Sequence, residues 1–301
     1  MAHTQEIKER INSIESTQKI TSAMFMISST KLARAKRDLE AARPYIYGIQ
    51  NLIERMLRHI PDIEHPFLRD DPKPEEKRVY GYFVITSDRG LAGAYNYNVL
   101  METERLMEGK PNVKLFVMGE VGRHHFTKRG YEIEKYFHEE AVSPTRDMAR
   151  HIAFWILELY RNDEIDEMYV VYNAMKNPIQ DEVRTQQVLP LQATLPNVDM
   201  SAVLDVQQEE FILQPTPKDV IDTVVPSYIR GFIFSTLIES FCAEQNSRML
   251  AMQVANDSAN EMLHDLKIEY NRERQATITQ EITEISAGAR ARKKSKKQKP
   301  E

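Results

Sequence analysis

The feature that most constrains this chain is an unbroken heptad spacing near its start. Ile7, Ile11, Ile14, Gln18, Thr21, Phe25, Ser28, Leu32, Ala35, Leu39, Ala42, Ile46, Ile49, Ile53, Met56 and Ile60 follow one another at alternating steps of four and three. Such a stripe lies along one side of a helix and requires a partner helix to cover it. The other end of the chain repeats the spacing at Phe234, Ile238, Phe241, Gln245, Arg248, Met252, Ala255, Ala259, Met262 and Leu266. Two seams at opposite ends predict that the N- and C-terminal helices pair as a long coiled coil. Both join a shared middle region, so they run antiparallel. At 1.5 Å per residue the first is roughly 80 Å long and the second roughly 105 Å. About a quarter of the second, roughly Tyr270 to Gly288, therefore overhangs as a single helix carrying Ile278, Ile282 and Ile285. A lone helix of that length is marginal in water, which implies a surrounding partner.

Between the seams the texture changes. Pro61, Pro66, Pro72 and Pro74 mark a linker. Val79–Thr86, Val113–Val117 and Met168–Tyr172 read as buried strands, and Val183–Leu189 as an added edge strand. Helical windows fall near Tyr95–Glu108, Glu120–Arg129 and Pro144–Tyr160. The alternation predicts an inserted, Rossmann-like α/β domain with a largely parallel sheet, Phe154 and Trp155 lying in its core. Pro190, Pro196, Pro215 and Pro217 lead back to the second helix. The expected segments are a helix over 1–60, an α/β domain over 77–210, a helix over 217–288 and a disordered basic tail over 289–301. Pro44 inside the first seam predicts a kink. Gln18, Thr21 and Ser28 predict a first half that packs loosely or against polar partners.

Composition excludes several functions. A net charge of −5 gives no global case for nucleic acid, and no apolar run approaches a membrane span. A single cysteine, Cys242, excludes an internal disulfide and reads as a small buried hydrophobe. The absence of a signal-like start fits a reduced cytosolic compartment.

The best site for chemistry is Thr86-Ser-Asp-Arg-Gly-Leu-Ala-Gly-Ala-Tyr-Asn96, between a strand and a helix, where phosphate-binding loops sit. Gly90 and Gly93 do not complete G-x-G-x-x-G, and no Lys-Ser/Thr pair follows, so a glycine-assisted turn is the simpler reading. His124-His125 and His138-Glu139-Glu140 lack the i, i+4 spacing of a helical metal site. The sequence carries no catalytic set, and no cofactor is expected.

Three blocks resemble the gamma subunit of F-type ATP synthases. They are Ile14-Glu-Ser-Thr-Gln-Lys-Ile-Thr-Ser-Ala-Met24, with Lys31-Leu32 and Ala42-Arg-Pro-Tyr45; Ser87-Asp-Arg-Gly-Leu91 with Gly93; and Glu239 to Glu244-Gln-Asn-Ser-Arg-Met-Leu-Ala-Met252 with Asn256-Asp257, then Tyr270–Ile285. The resemblance implies a non-catalytic rotor in the central stalk. Its coiled coil would enter a head of alternating alpha and beta subunits, and its α/β domain would stand on the membrane c-ring and bind the epsilon subunit. The complex would sit on the cytoplasmic face of a bacterial plasma membrane, this chain peripheral to it and without a span. The resemblance further implies coupling contacts at Gln18, Lys19, Met24, Arg248, Arg274, Gln275 and Thr279, and a ring- and epsilon-facing foot at Phe211 and Gln214. The chain departs from the family pattern at Ser22, Phe25, Ala92-Gly93-Ala94, Phe211 and Gln214, and in its basic tail. Two alternatives are a gamma-like adaptor paralogue and a phosphate-binding α/β enzyme with a helical arm.

Overall fold

The computed structural model describes residues 2–59, 64–68, 73–134, 143–178, 180–191 and 213–297. Among them, five α-helices and four strands follow in the order α1 (Ala2–His59), β1 (Val79–Ile85), α2 (Tyr95–Met107), β2 (Asn112–Met118), α3 (Glu120–Lys128), α4 (Arg146–Arg161), β3 (Glu167–Met175), β4 (Asp181–Leu189) and α5 (Pro217–Lys297). The chain forms two compact units, Ile27–Leu250 and Met1–Met26 with Ala251–Glu301. Both terminal helices contribute to each.

In the larger unit the strands form one sheet in the order β2-β1-β3-β4. β1 pairs in parallel with β2 and β3, and β4 closes the edge antiparallel to β3. The apolar run of β1 is buried on both faces, which is why it shows no polar alternation. Phe83 and Ile85 point into one cluster, with α4, α1 and α5; Tyr80, Tyr82 and Val84 point into another, with α2 and α3. Ile53 and Met56 of α1 and Ile221, Val225, Ile229 and Ile233 of α5 belong to the first cluster. Further along, Leu32 and Ala35 pack with Ile238, Phe241 and Cys242. Burial pushes the Cys242 thiol up to about 12, so it stays a neutral packing group.

The turn from β2 to α3 shows why particular residues are needed. Gly119 has φ +91°, and a Cβ on Gly122 would lie 2.6 Å from Thr86 Oγ1 and 2.8 Å from Val117 Cγ1. Only glycine accepts both the left-handed backbone and that approach. Gly122 N–H in turn donates to Thr86 Oγ1 at 3.0 Å.

In the smaller unit α1 and α5 also run antiparallel. Gln18 Nε2 donates to Asn260 Oδ1 at 2.7 Å, Thr21 Oγ1 donates to Asn256 Oδ1, and Lys267 lies 3.5 Å from Glu15. The polar seam residues have thus found polar partners. Such bonds fix register while adding only about 0.5–1.5 kcal/mol each.

Several expectations need correction. The seam of α5 departs from the expected spacing at one place: Ala259 is buried as expected, but Leu263 is buried in place of Met262, which is 56% exposed. A 3.6-residue helix drifts against a strict heptad, and here Asn256 rather than Ala255 bonds to Thr21. Phe154 is 62% exposed, because α4 turns Ala149, Ile152, Ala153, Ile156 and Tyr160 inward and carries position 154 to the opposite face. Trp155 is half-buried, edge-on to Phe116. Pro44 lies inside α1, which stays helical on both sides of it, and Pro226 lies inside α5. α1 begins at Ala2 and Ile7 is buried, so partial burial on α5 reaches Thr277 and the bare stretch starts later than Tyr270. α5 stays helical to Lys297, beyond the Gly288 expected to end it. Ala287, Ala289, Ala291, Arg and Lys are strong helix formers, which outweigh one glycine. Ile60 and residues 192–212 lie outside the described residues.

Candidate functional site

The strand order reverses around β1: the chain passes from β1 to β2 on one side, then crosses to β3 on the other. In open α/β sheets such a switch point leaves a crevice at the carboxyl ends of the strands, the usual place for a ligand. Here the crevice is occupied by α5. Ala243 of α5 is fully buried against Ala92, Tyr95 and Met175. Tyr95 Oη shares a 2.7 Å hydrogen bond with Ser240 Oγ, and Asn173 Nδ2 donates to the Tyr95 carbonyl at 2.6 Å. Desolvation raises the pKa of the Tyr95 phenol far above its usual value, and Glu244 adds to the shift. Tyr95 therefore acts only as a neutral hydrogen-bonding group.

The loop after β1 is closed on itself. Ser87 N–H donates to Asn96 Oδ1 at 3.0 Å, and Asn96 Nδ2 donates to Ser87 Oγ at 2.8 Å. Asp88 Oδ1 accepts the N–H of Glu120 at 3.2 Å. Arg248 Nη2 donates to the carbonyls of Arg89 at 3.1 Å and Gly90 at 3.4 Å, while its Nη1 lies 2.5 Å from Glu244 Oε1. The loop thus presents carbonyl oxygens to a cation. A phosphate cradle needs the opposite polarity, with N–H groups pointing at the ligand.

The other expected coupling residues occupy different surroundings. In the smaller unit Gln18 is half-buried in its bond to Asn260, and Lys19 is exposed beside the shallow groove formed with Glu15, Asn260, Leu263, His264 and Lys267. Met24 is half-buried; Arg274, Gln275 and Thr279 are exposed, with Thr279 Oγ1 donating back to the Gln275 carbonyl. Arg248 is buried in the larger unit and bonded there to its own chain. Gln214 is exposed, and Phe211 lies outside the described residues. Among the described residues no three His, Cys, Asp or Glu side chains gather as metal ligands, and no helix is long and apolar enough to cross a membrane.

The family model described as ATP synthase matches residues 3–291. An ATP synthase gamma chain from Caldanaerobacter subterraneus subsp. tengcongensis is 39% identical over 294 residues, covering 95% of this chain and 98% of the relative. One from Staphylococcus epidermidis is 36% identical, covering 97% and 99%. The chain belongs to the ATP synthase gamma-chain family. The fold is similar to a chain of the Euglena gracilis mitochondrial ATP synthase, described as OSCP/F1/c-ring, with TM-score 0.65, 14% identity and coverage of 100% and 99%. It is also similar to one in the Tetrahymena thermophila mitochondrial ATP synthase central stalk and c-ring, with TM-score 0.59, 22% identity and coverage of 78% and 99%.

Within this gamma-type chain, sequence reasoning found the Ser87–Gly93 loop but missed the contacts that fasten α5 beside it. Tyr95, Asn173, Asp181, Ser240, Asn246 and Ser247 are scattered over four elements and form no local motif. One signal was available: small residues at Ser240, Ala243 and Ser247 recur at helical spacing on α5, marking a face that can approach its neighbours closely.

Proposed function

We propose that this chain is the rotating, non-catalytic shaft of an F-type ATP synthase, coupling ion-driven rotation of a membrane ring to conformational change in catalytic beta subunits. The observation that carries the reading is the outer surface of the smaller unit. Ile20, Met26, Val254, Met262, Ile268, Ile278, Ile282 and Ile285 are all strongly exposed there, the last at 72%. Apolar residues spread around a helical pair and along a bare helix call for a sleeve that encloses them. A head of alpha and beta subunits with a central bearing supplies such a sleeve.

Gln18, Lys19, Met24, Arg274, Gln275 and Thr279 are then the contacts read by the beta subunits. One shaft touching three equivalent subunits unequally biases each toward a different conformation, by its differential contact free energy. The α/β layer stands on the c-ring and carries the epsilon subunit, with Phe211 and Gln214 at the foot. The complex lies at the cytoplasmic face of a bacterial plasma membrane. No cofactor is required of this chain.

The test is reconstitution with cognate alpha and beta subunits, followed by single-molecule observation. One copy assembling per three alpha–beta pairs and turning during ATP hydrolysis is the expected result. Assembly without rotation, or no assembly, overturns the reading. Nucleotide binding by the isolated chain favours the enzyme alternative.

A further inference from the structure

The face of α5 that fills the switch-point crevice has a geometry suited to more than packing. Ser240 bonds to Tyr95, Asn246 Nδ2 donates to the Pro178 carbonyl at 3.2 Å, Ser247 Oγ donates to Asp181 Oδ2, and Arg248 donates to the carbonyls of Arg89 and Gly90. At about 100° per residue, Ser240 and Ser247 share one line, Asn246 lies to one side and Arg248 to the other. The polar contacts therefore span roughly 200° of the helix circumference. Ile238, Phe241 and Cys242, on the remaining side, meet Leu32 and Ala35 of α1. The helix is held all round at this level.

We propose that Ser240, Asn246 and Ser247 of α5, gripped by Tyr95, Asp181 and the Pro178 carbonyl, form the torque-bearing key through which the α/β layer and α5 turn as one body. This rests on the rotor reading above. Apolar packing is non-directional and opposes sliding weakly, whereas hydrogen bonds fail within small changes of distance and angle. Turning α5 one way against the sheet strains the Asn246 contact, and turning it the other way strains the Arg248 contact. Ser240, Ala243 and Asn246 are at most 1% exposed, so water cannot replace a broken bond without opening the crevice. The Asp181 carboxyl is costly to keep here: desolvation raises its pKa, against the lowering effect of Ser247 and Asn246. An apolar side chain in its place would suit stability alone.

The experiment uses the complete chain in its complex with alpha and beta subunits, with a bead fixed to the α/β layer and the head fixed to glass. In nucleotide-arrested complexes the angular spread of the bead reports torsional stiffness. The combination Asn246→Ala with Ser247→Ala is expected to raise the variance about twofold, as part of the polar ring is lost, and to stall earlier under magnetic load. Unloaded ATPase should remain unchanged. Tyr95→Phe is a milder variant for the case where the pair assembles poorly, with a smaller rise in variance expected. Asp181→Asn, which keeps an acceptor for Ser247, should leave stiffness near that of the parent. A core variant, Ile233→Val, chosen to match the loss of thermal stability, should not change stiffness. Unchanged variance in both Asn246→Ala/Ser247→Ala and Tyr95→Phe, or an equal change in Ile233→Val, overturns the proposal. Failure of the parent chain to rotate overturns the rotor reading instead.

Discussion

The two compact units use the same pair of helices in opposite ways. In the larger unit α1 and α5 bury apolar residues against a sheet, and Phe83, Ile229 and Ile233 are fully enclosed. In the smaller unit the seam buries Ile7 and Met252 and is tied by Gln18–Asn260 and Thr21–Asn256, while Ile20, Met26, Met262, Ile268 and Ile282 face outward. The first arrangement supplies its own stability. The second withholds apolar surface from its own core and holds it ready for an enclosing partner. One helix thus reads as foundation over part of its length and as contact surface over the rest.

The contrast can be tested by size of effect. Phe83→Ala, in the larger unit, should cost about 3–5 kcal/mol in the isolated chain, read as a lower urea midpoint. A cost near zero would mean that the sheet core does not carry the fold. Gly122→Ala should cost about 1–3 kcal/mol, since the added methyl meets Thr86 and Val117 and cannot be housed without shifting a strand. In the smaller unit, a double-mutant cycle of Gln18→Ala and Asn260→Ala should give a coupling of about 0.5–1 kcal/mol. A larger coupling would make the polar seam a foundation after all. Ile282→Ala should change the isolated chain by no more than about 0.5 kcal/mol, because the residue is already exposed, yet impair rotation in the assembled complex. Unimpaired rotation would remove the reason for its exposure.

The larger unit also carries a pH signature. Burial raises the pKa of Glu239 above its ordinary 4.5, partly opposed by Arg184, by the Tyr172 hydroxyl and by Arg43. A carboxyl whose folded pKa is raised favours the folded state while protonated. That contribution is present below about 4.5 and is lost as pH rises through the folded value. Glu239→Gln should therefore flatten the decline of stability with rising pH above that point, measured by urea melts across the acid range. An unchanged slope would assign the decline to other groups.

Much of this was legible without coordinates. The α1 stripe was read residue by residue and its described members are buried or half-buried, because a helix that must cover another announces itself at a fixed spacing. The strands and helices of the α/β layer fell where apolar runs and turns placed them. Phe154 was misread because aromatic character says nothing about which face of a helix a residue occupies. The bonds of Arg248 to the Arg89 and Gly90 carbonyls were not legible, because its seam position shows that it faces inward but not which backbone it meets. The end of α5 was misplaced because a run of like charge was weighed above the helix propensity of its alanines, arginines and lysines.

The sequence alone determined the helical pairing, its antiparallel direction, the inserted α/β layer and the family, since each depends on periodicity or on local residue order. Tertiary structure alone decided that the switch-point crevice is filled, and by which face of α5. That outcome joins residues more than a hundred positions apart, such as Tyr95 with Ser240 and Arg89 with Arg248. Hydrogen bonds of that kind depend on distances of a few tenths of an ångström between elements, and no spacing within one segment encodes them.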